Sequence, residues 1–247
     1  MANDPQERPA DATPPPMQEA IYTLPEWVVA DLPTEEELGV EDDKPVQSTH
    51  HRKQSDLLLH LLDRVFADRD EMCIAGDLAV HYQHPQPPVV PDAMVVFGVP
   101  KRERTAYLVW KEGKGPDWVL ELLSESNPTK DRVKNYAIYE QRLRVPEYVW
   151  FNPLQPTELR GFRLRGDQYD EIAPDQQGRL WSDVLKLYLG VHEGWLRLYD
   201  QESNLILTGN EEATRERAAR EALEAELERL REELARLKAD EIRNTQT

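Results

Sequence analysis

Apolar side chains recur at two different spacings along the chain, and each spacing predicts a different kind of element. Helical spacing of apolar positions predicts a helix over 49–67. The same spacing, with caps and helix-forming residues, predicts a second helix over 126–142 and a short one over 181–189. These three segments account for the predicted helices of the first 200 residues.

Short runs rich in β-branched and aromatic residues predict the strands. They occur at 72–82, 89–97, 107–110, 118–123, 147–151 and 195–199, with a hairpin at 159–164 and 168–172. A β-rich run that is followed by strand, helix and strand is typical of an α/β sheet with helices at its edges. We therefore predict one α/β domain over residues 48–200.

The segment 211–243 contains no glycine, proline or aromatic residue. Its leucines step by four and three residues, at Leu223, Leu227, Leu230, Leu234 and Leu237. This heptad spacing predicts a coiled coil and a homodimer. In a parallel pair Glu226 would face Arg231, and Glu233 would face Lys238. The alternative is a single amphipathic helix that packs on its own domain.

The formal net charge of −17 is unevenly distributed. Residues 1–47 carry 12 acidic and 2 basic side chains, whereas residues 48–200 carry 23 and 20. The proline-rich, acidic composition of 1–47 predicts a partly disordered arm. Because the predicted domain is near neutral, the overall charge does not exclude DNA as a ligand.

Several classes of protein are disfavoured by what the sequence lacks. The single cysteine, Cys73, permits no intrachain disulfide and no cysteine-based zinc site. No apolar run reaches the length of a membrane span, and no secretory signal is recognisable. We expect a cytoplasmic protein without a membrane partner.

Two carboxylates interrupt predicted strands of otherwise apolar character. Asp92 follows Pro91 within 89–97, and Glu121 lies within 118–123. A buried carboxylate requires a partner, which can be a shared divalent cation or an arginine or lysine. Lys134 on the next predicted helix is a further candidate, although its neighbours also fit a solvated helix surface.

Six ordered elements resemble the Uma-two family of putative restriction endonucleases. They are Pro91-Asp92, Gly115–Asp117, Glu121–Ser124, Asp131–Lys134, Tyr139 and Glu147–Pro153. The resemblance extends over about 48–200 and implies a PD-(D/E)XK nuclease fold, with a mixed sheet flanked by helices. It also implies Mg²⁺- or Mn²⁺-dependent hydrolysis of phosphodiester bonds, with DNA as the expected substrate.

The resemblance also assigns roles to residues. Asp92 and Glu121 would hold the metal together with the backbone carbonyl of Leu122, and a lysine would orient the attacking water. The superfamily places that lysine where this chain has Leu123, so Lys134 from the next helix would have to replace it. His51 and Gln54 are the possible contributors from the first helix.

Two other hypotheses remain open at this point. One is an interaction protein on an inactive nuclease fold, acting through its acidic arm and coiled coil. The other is a nuclease that acts on RNA or on branched DNA. The two carboxylates and a nearby lysine favour an enzyme, whereas Leu123 and the acidic arm favour the interaction protein.

Overall fold

A computed structural model describes residues 49–123 and 128–245. The chain divides into two compact units between Leu205 and Ile206. The predicted acidic arm at 1–47, and the start of the helix predicted over 126–142, lie outside the described residues.

The first unit contains short helices and eleven strands among its described residues. The helices are α1 (Thr49–Val65), α2 (Val109–Glu112) and α3 (Pro128–Ala137), which continues as a π-helix (Ile138–Arg142). The strands are β1 (Met72–Ala75), β2 (Val80–His81), β3 (Ala93–Phe97), β4 (Tyr107–Leu108), β5 (Trp118–Leu122), β6 (Glu147–Phe151), β7 (Leu159–Arg165), β8 (Gln168–Glu171), β9 (Leu180–Ser182), β10 (Leu187–His192) and β11 (Trp195–Tyr199).

Six of these strands form the central mixed sheet, in the order β1-β3-β5-β6-β7-β8. Strands β5 and β6 are parallel, and the other neighbours are antiparallel. Because parallel neighbours need a crossover connection, the chain passes through α3 and the π-helix between β5 and β6. Helix α1 packs against β1, β3 and β11. The predicted class, a mixed α/β sheet flanked by helices, is confirmed.

Strand β5 has neighbours on both sides and is covered on both faces. Its residues Trp118, Val119, Leu120 and Leu122 are buried, and Glu121 is the partly exposed exception. Burial on both faces explains why this strand reads as a continuous apolar run rather than an alternating one. The exception marks the end of β5 as the place where a polar side chain is tolerated.

The predicted helix over 181–189 is wrong, because this segment forms the hairpin of β9 and β10. Two kinds of hydrogen bond hold the turn between the strands, one to a residue distant in sequence and one within the turn. The Glu147 carboxylate accepts the N–H of Asp183 at 2.8 Å, and the Lys186 N–H donates to the Ser182 carbonyl at 2.9 Å. Lys186 also takes a positive φ of 59°, which is incompatible with a continuous helix.

Three predicted strands are shorter than their apolar runs. The run 72–82 is divided into β1 and β2 by a turn in which Asp77 has a φ of 55°. The run 107–110 is strand only at Tyr107–Leu108 and then turns into α2. In these two cases a turn interrupts a run whose composition alone suggested one extended segment. The run 89–97 is strand only at Ala93–Phe97, so Asp92 lies in a bend just before β3 and not within the predicted strand.

The second unit consists of helix α4 (Gly209–Thr245). Its start has a capping box, in which the Glu211 N–H donates to the Thr208 hydroxyl at 3.3 Å and the Thr208 N–H donates to the Glu211 carboxylate at 2.7 Å. Leucines of the predicted seam are exposed along it, with values of 46–62% for Leu223, Leu227, Leu230 and Leu234. Within the described ranges, no helix is both long and apolar enough to cross a membrane.

Candidate active site

Two acidic residues lie near the end of the β3–β5 ladder. Ala93 of β3 pairs with Leu120 of β5 in an antiparallel arrangement. Asp92 lies in the bend just before β3, outside this ladder, and Glu121 follows Leu120 in β5. The Asp92 carboxylate is linked to the end of β5, because it accepts the N–H of Leu122, the residue after Glu121. The end of β5 is therefore the place to examine as a candidate site.

Asp92 is buried and held by two elements. Its Oδ1 lies 2.8 Å from Nε2 of His51 on α1, and its Oδ2 accepts the Leu122 N–H at 2.7 Å. The Ser55 hydroxyl on α1 donates to the Asp92 carbonyl at 2.8 Å. Helix α1 thereby fixes both the side chain and the backbone of Asp92, and the Asp92 side chain is tied to the end of β5.

Glu121 is held from the helical side of the sheet. Its Oε1 accepts the hydroxyl of Tyr139 at 2.6 Å and the side-chain amide of Asn135 at 3.2 Å. Asn135 lies on α3 and Tyr139 lies four residues later in the π-helix, a spacing that places both side chains on one helical face. One oxygen of Glu121 thus receives two donors from the same crossover segment.

Tyr139 is fully buried, and its hydroxyl contacts the Glu121 carboxylate. Burial raises the pKa of Tyr139 well above its ordinary value, and the negative charges of Glu121 and Asp92 raise the same pKa further. The phenol consequently remains protonated and can only donate to Glu121.

The residues predicted for the site are only partly brought together. His51 reaches Asp92, whereas the Gln54 amide is bonded to the backbone of Leu196 in β11, at 2.9 and 3.1 Å. Lys134 is exposed on α3. Leu123, at the superfamily's lysine position, is buried, and its N–H donates to the Phe151 carbonyl at 2.8 Å.

Asn135 was not identified from the sequence as a site residue. An isolated asparagine on a helix carries little information, because it is usually solvent-exposed. The spacing of four residues between Asn135 and Tyr139 is the signal that could have found it, since Tyr139 belongs to the recognised pattern. Two polar side chains at that spacing, on a helix that packs against an acidic strand end, form a natural donor pair.

The donors at this site fit a hard divalent cation. The carboxylates of Asp92 and Glu121 and the carbonyl of Leu122 are all oxygen ligands, which Mg²⁺ and Mn²⁺ prefer. Among the side chains that the structure describes, no cluster of three or more His, Cys, Asp or Glu residues could hold a metal ion. A cation bound by Asp92 and Glu121 would take two carboxylates, and Mg²⁺ commonly binds with so few because it keeps several waters.

Comparison with known proteins gives a family and a distant structural relative. The profile of the Uma2 family, described as a putative restriction endonuclease, matches residues 39–198. A crystal structure of a putative nuclease from Anabaena variabilis ATCC 29413 is 16% identical, covers 60% of this chain and 84% of its own, and has a TM-score of 0.42. At that score the structural likeness adds nothing to the family match. No curated protein matches the chain significantly.

Proposed function

Because the chain belongs to the Uma2 family of putative restriction endonucleases, we propose that it is a Mg²⁺- or Mn²⁺-dependent endonuclease that hydrolyses phosphodiester bonds in DNA. One observation carries the proposal: at the end of β5 the Leu122 N–H donates to the Asp92 carboxylate, and the adjacent Glu121 carboxylate is fixed by the Tyr139 hydroxyl. Such an arrangement of carboxylates is what a shared cation requires.

The proposed roles follow from the contacts of each group. Asp92, Glu121 and the Leu122 carbonyl would hold the cation, which when bound would polarise the phosphate and lower the pKa of a water. His51 would keep the Asp92 carboxylate oriented, since it lies 2.8 Å from Oδ1. The Asp92–Leu122 bond would couple one ligand to the strand that supplies the other two.

Lys134 is proposed to offset charge on the scissile phosphate. Lys134 is exposed on α3, so a phosphate of bound substrate could reach its ammonium group. It is the candidate because Leu123, which is buried, occupies the position where the superfamily has its lysine. Lys134 is not among the proposed ligands of the cation, so the cation would bind without it.

Nicking of supercoiled DNA with Mn²⁺ tests these roles. Wild type should nick, and Asp92→Ala should fall to background because a cation ligand is lost. Lys134→Met keeps much of the side-chain volume and removes the charge, so we expect cleavage to slow by about 100-fold. Mn²⁺ binding should survive in Lys134→Met.

Lys101→Met is a suitable control, since Lys101 is an exposed lysine in the loop before β4. Equal cleavage by wild type and Lys134→Met would remove Lys134 from the mechanism. If none of these proteins cleaves DNA or RNA substrates, the proposed nuclease activity is wrong.

A second candidate function is an interaction module on an inactive nuclease fold. Two observations favour it: Leu123 stands in the place of the superfamily's lysine, and α4 exposes a row of leucines. A nuclease that retains Asp92 and Glu121 but lacks a positioned lysine could bind a cation without cleaving. The nicking assay separates this alternative from the enzyme.

In either case we propose that α4 forms a parallel homodimer through the seam at 223–237. The seam leucines are exposed in the single chain, and the nearby ion pairs of Glu226 with Arg229 and of Glu228 with Arg231 lie within one helix. Exposed pairs of this kind contribute about 0.2–1 kcal/mol each, so the leucines would carry the association.

Light scattering of matched lysine variants of the full chain tests the dimer. Leu230→Lys places a charge in the seam and should yield a monomer mass. Ala225→Lys adds the same charge on the outer face of the heptad and should leave the dimer intact. A dimer mass for Leu230→Lys, or a monomer mass for wild type, would contradict the proposal.

A further inference from the structure

The crossover between β5 and β6 does more than connect two parallel strands. Its α-helical part supplies Asn135 and its π-helical part supplies Tyr139, and both side chains donate to Oε1 of Glu121. Both contacts span fewer than twenty residues of sequence, so the segment that follows Glu121 folds back to hold it. We infer that Asn135 and Tyr139 are positioning residues that orient Glu121 to bind the divalent cation.

The hydroxyl of Tyr139 distinguishes this role from simple packing. Its ring lies 5.0 Å from that of Tyr148 and is fully buried, a position that phenylalanine would fill equally well. A buried hydroxyl must nevertheless find a hydrogen-bond partner, and this one finds the Glu121 carboxylate at 2.6 Å. The polar atom is therefore directed at the proposed site.

Tyr169 provides the contrast within the same aromatic cluster. It is also buried, but its hydroxyl donates to the backbone carbonyl of Val145 at 2.8 Å. That bond ties β8 to the loop before β6 and touches neither Asp92 nor Glu121. Removing either hydroxyl deletes one buried hydrogen bond, so the two tyrosines form a matched pair in which only one partner belongs to the site.

The local helix geometry is consistent with a specialised segment. The backbone bond from the Leu143 N–H to the Ile138 carbonyl, at 2.9 Å, spans five residues and defines the π turn. π-helical turns are uncommon and occur frequently at functional sites. Tyr139 is the second residue of this turn, which begins at Ile138, immediately after the last α-helical residue, Ala137.

Mn²⁺ binding to the full-length protein, measured by calorimetry and by the spectrum of the bound ion, tests the inference. It rests on the proposed function, because it requires the cation site. Tyr139→Phe should weaken Mn²⁺ binding by about 10–100-fold, the usual effect of removing a group that orients a ligand. Asn135→Ala should weaken it less, because its bond to Oε1 is longer. Tyr169→Phe should bind as wild type does.

Thermal unfolding of the same variants controls for folding, and Tyr139→Phe and Tyr169→Phe should lose similar stability. If Tyr139→Phe binds Mn²⁺ as tightly as Tyr169→Phe does, the positioning role is wrong while the cation site stands. If wild type binds no Mn²⁺, and neither does Asp92→Ala, the cation site is wrong and the inference falls with it.

Discussion

Strands β5 and β6 carry buried or partly buried carboxylates at opposite ends, and these are satisfied in different ways. Glu147 opens β6, where it pairs with Trp118 at the start of β5. It is 1% exposed and accepts bonds from the Arg163 guanidinium at 2.9 Å, the Ser182 hydroxyl and the Asp183 N–H. The fold itself thus supplies a positive charge for Glu147.

At the other end of β5, Glu121 and Asp92 both accept hydrogen bonds, and Asp92 takes one of its bonds from the Leu122 N–H of that strand. Asp92 is held by His51 and the Leu122 N–H, and Glu121 is held by a phenol and an amide. Two like charges in one site repel, so bringing them together costs stability unless a cation balances them. Glu147 therefore stabilises the fold, whereas Asp92 and Glu121 are held in position by it.

Mutations at the two ends should differ in their effect on the free energy of unfolding. Glu147→Ala leaves the partly buried Arg163 without its main partner, and breaking such a pair costs about 3 kcal/mol of unfolding free energy. The retained contact of Arg163 with Asp183, at 2.8 Å, keeps the loss at the lower end of the usual range. Urea denaturation measures this loss.

Asp92→Asn is the matched variant at the other end. It keeps a side chain of the same shape and relieves the repulsion with Glu121, so the unfolding free energy should change by less than about 1 kcal/mol. Mn²⁺ binding should be lost. If Asp92→Asn proves as destabilising as Glu147→Ala, the two ends do not differ in the way described.

The sequence predicted the strands around the site better than the far end of the domain. β5 and β6 were found because their apolar runs are short and bounded by Gly-Lys-Gly-Pro and Asn-Pro. The hairpin of β9 and β10 was missed because its turn is held by Glu147, which lies some 35 residues away in sequence. No local pattern reports a contact of that range.

The site shows the same division. Asp92 and Glu121 could be singled out as candidates because a carboxylate in an apolar run is conspicuous, and both belong to the family pattern. Asn135 could not, because its role depends on where α3 lies relative to β5. The exposed position of Lys134 was equally hidden, since a helical pattern alone does not determine which side of a helix faces the sheet.

Glu112 extends the comparison to a third carboxylate, with a smaller expected effect. Burial alone would raise the pKa of Glu112, but the hydrogen bonds from Arg104, at 2.9 and 3.0 Å, and the charges of Arg104 and Arg102 outweigh it. The pKa of Glu112 therefore lies below its ordinary value of 4.5. Like Glu147, this carboxylate is balanced by arginine within the fold.

A depressed pKa in the folded state means that the ionised form stabilises the fold. That contribution is fully present above pH 4.5 and is lost as the pH falls through the lower folded-state pKa of Glu112. Glu112→Gln should therefore melt below wild type at pH 7, and the difference between their melting temperatures should narrow below pH 4.5. Calorimetry across this range measures it.

Glu171→Gln is the control for this pH series. Glu171 pairs with Arg160 at 2.6 Å, but both side chains are about half exposed, and such pairs contribute little. Its melting temperature should follow that of wild type at every pH. The melting temperature of Glu112→Gln could instead lie below that of wild type by a constant amount from pH 7 to pH 3. Lost packing, rather than the charge of Glu112, would then cause the destabilisation. In that case Glu112 would not resemble Glu147 in being a carboxylate whose charge stabilises the fold.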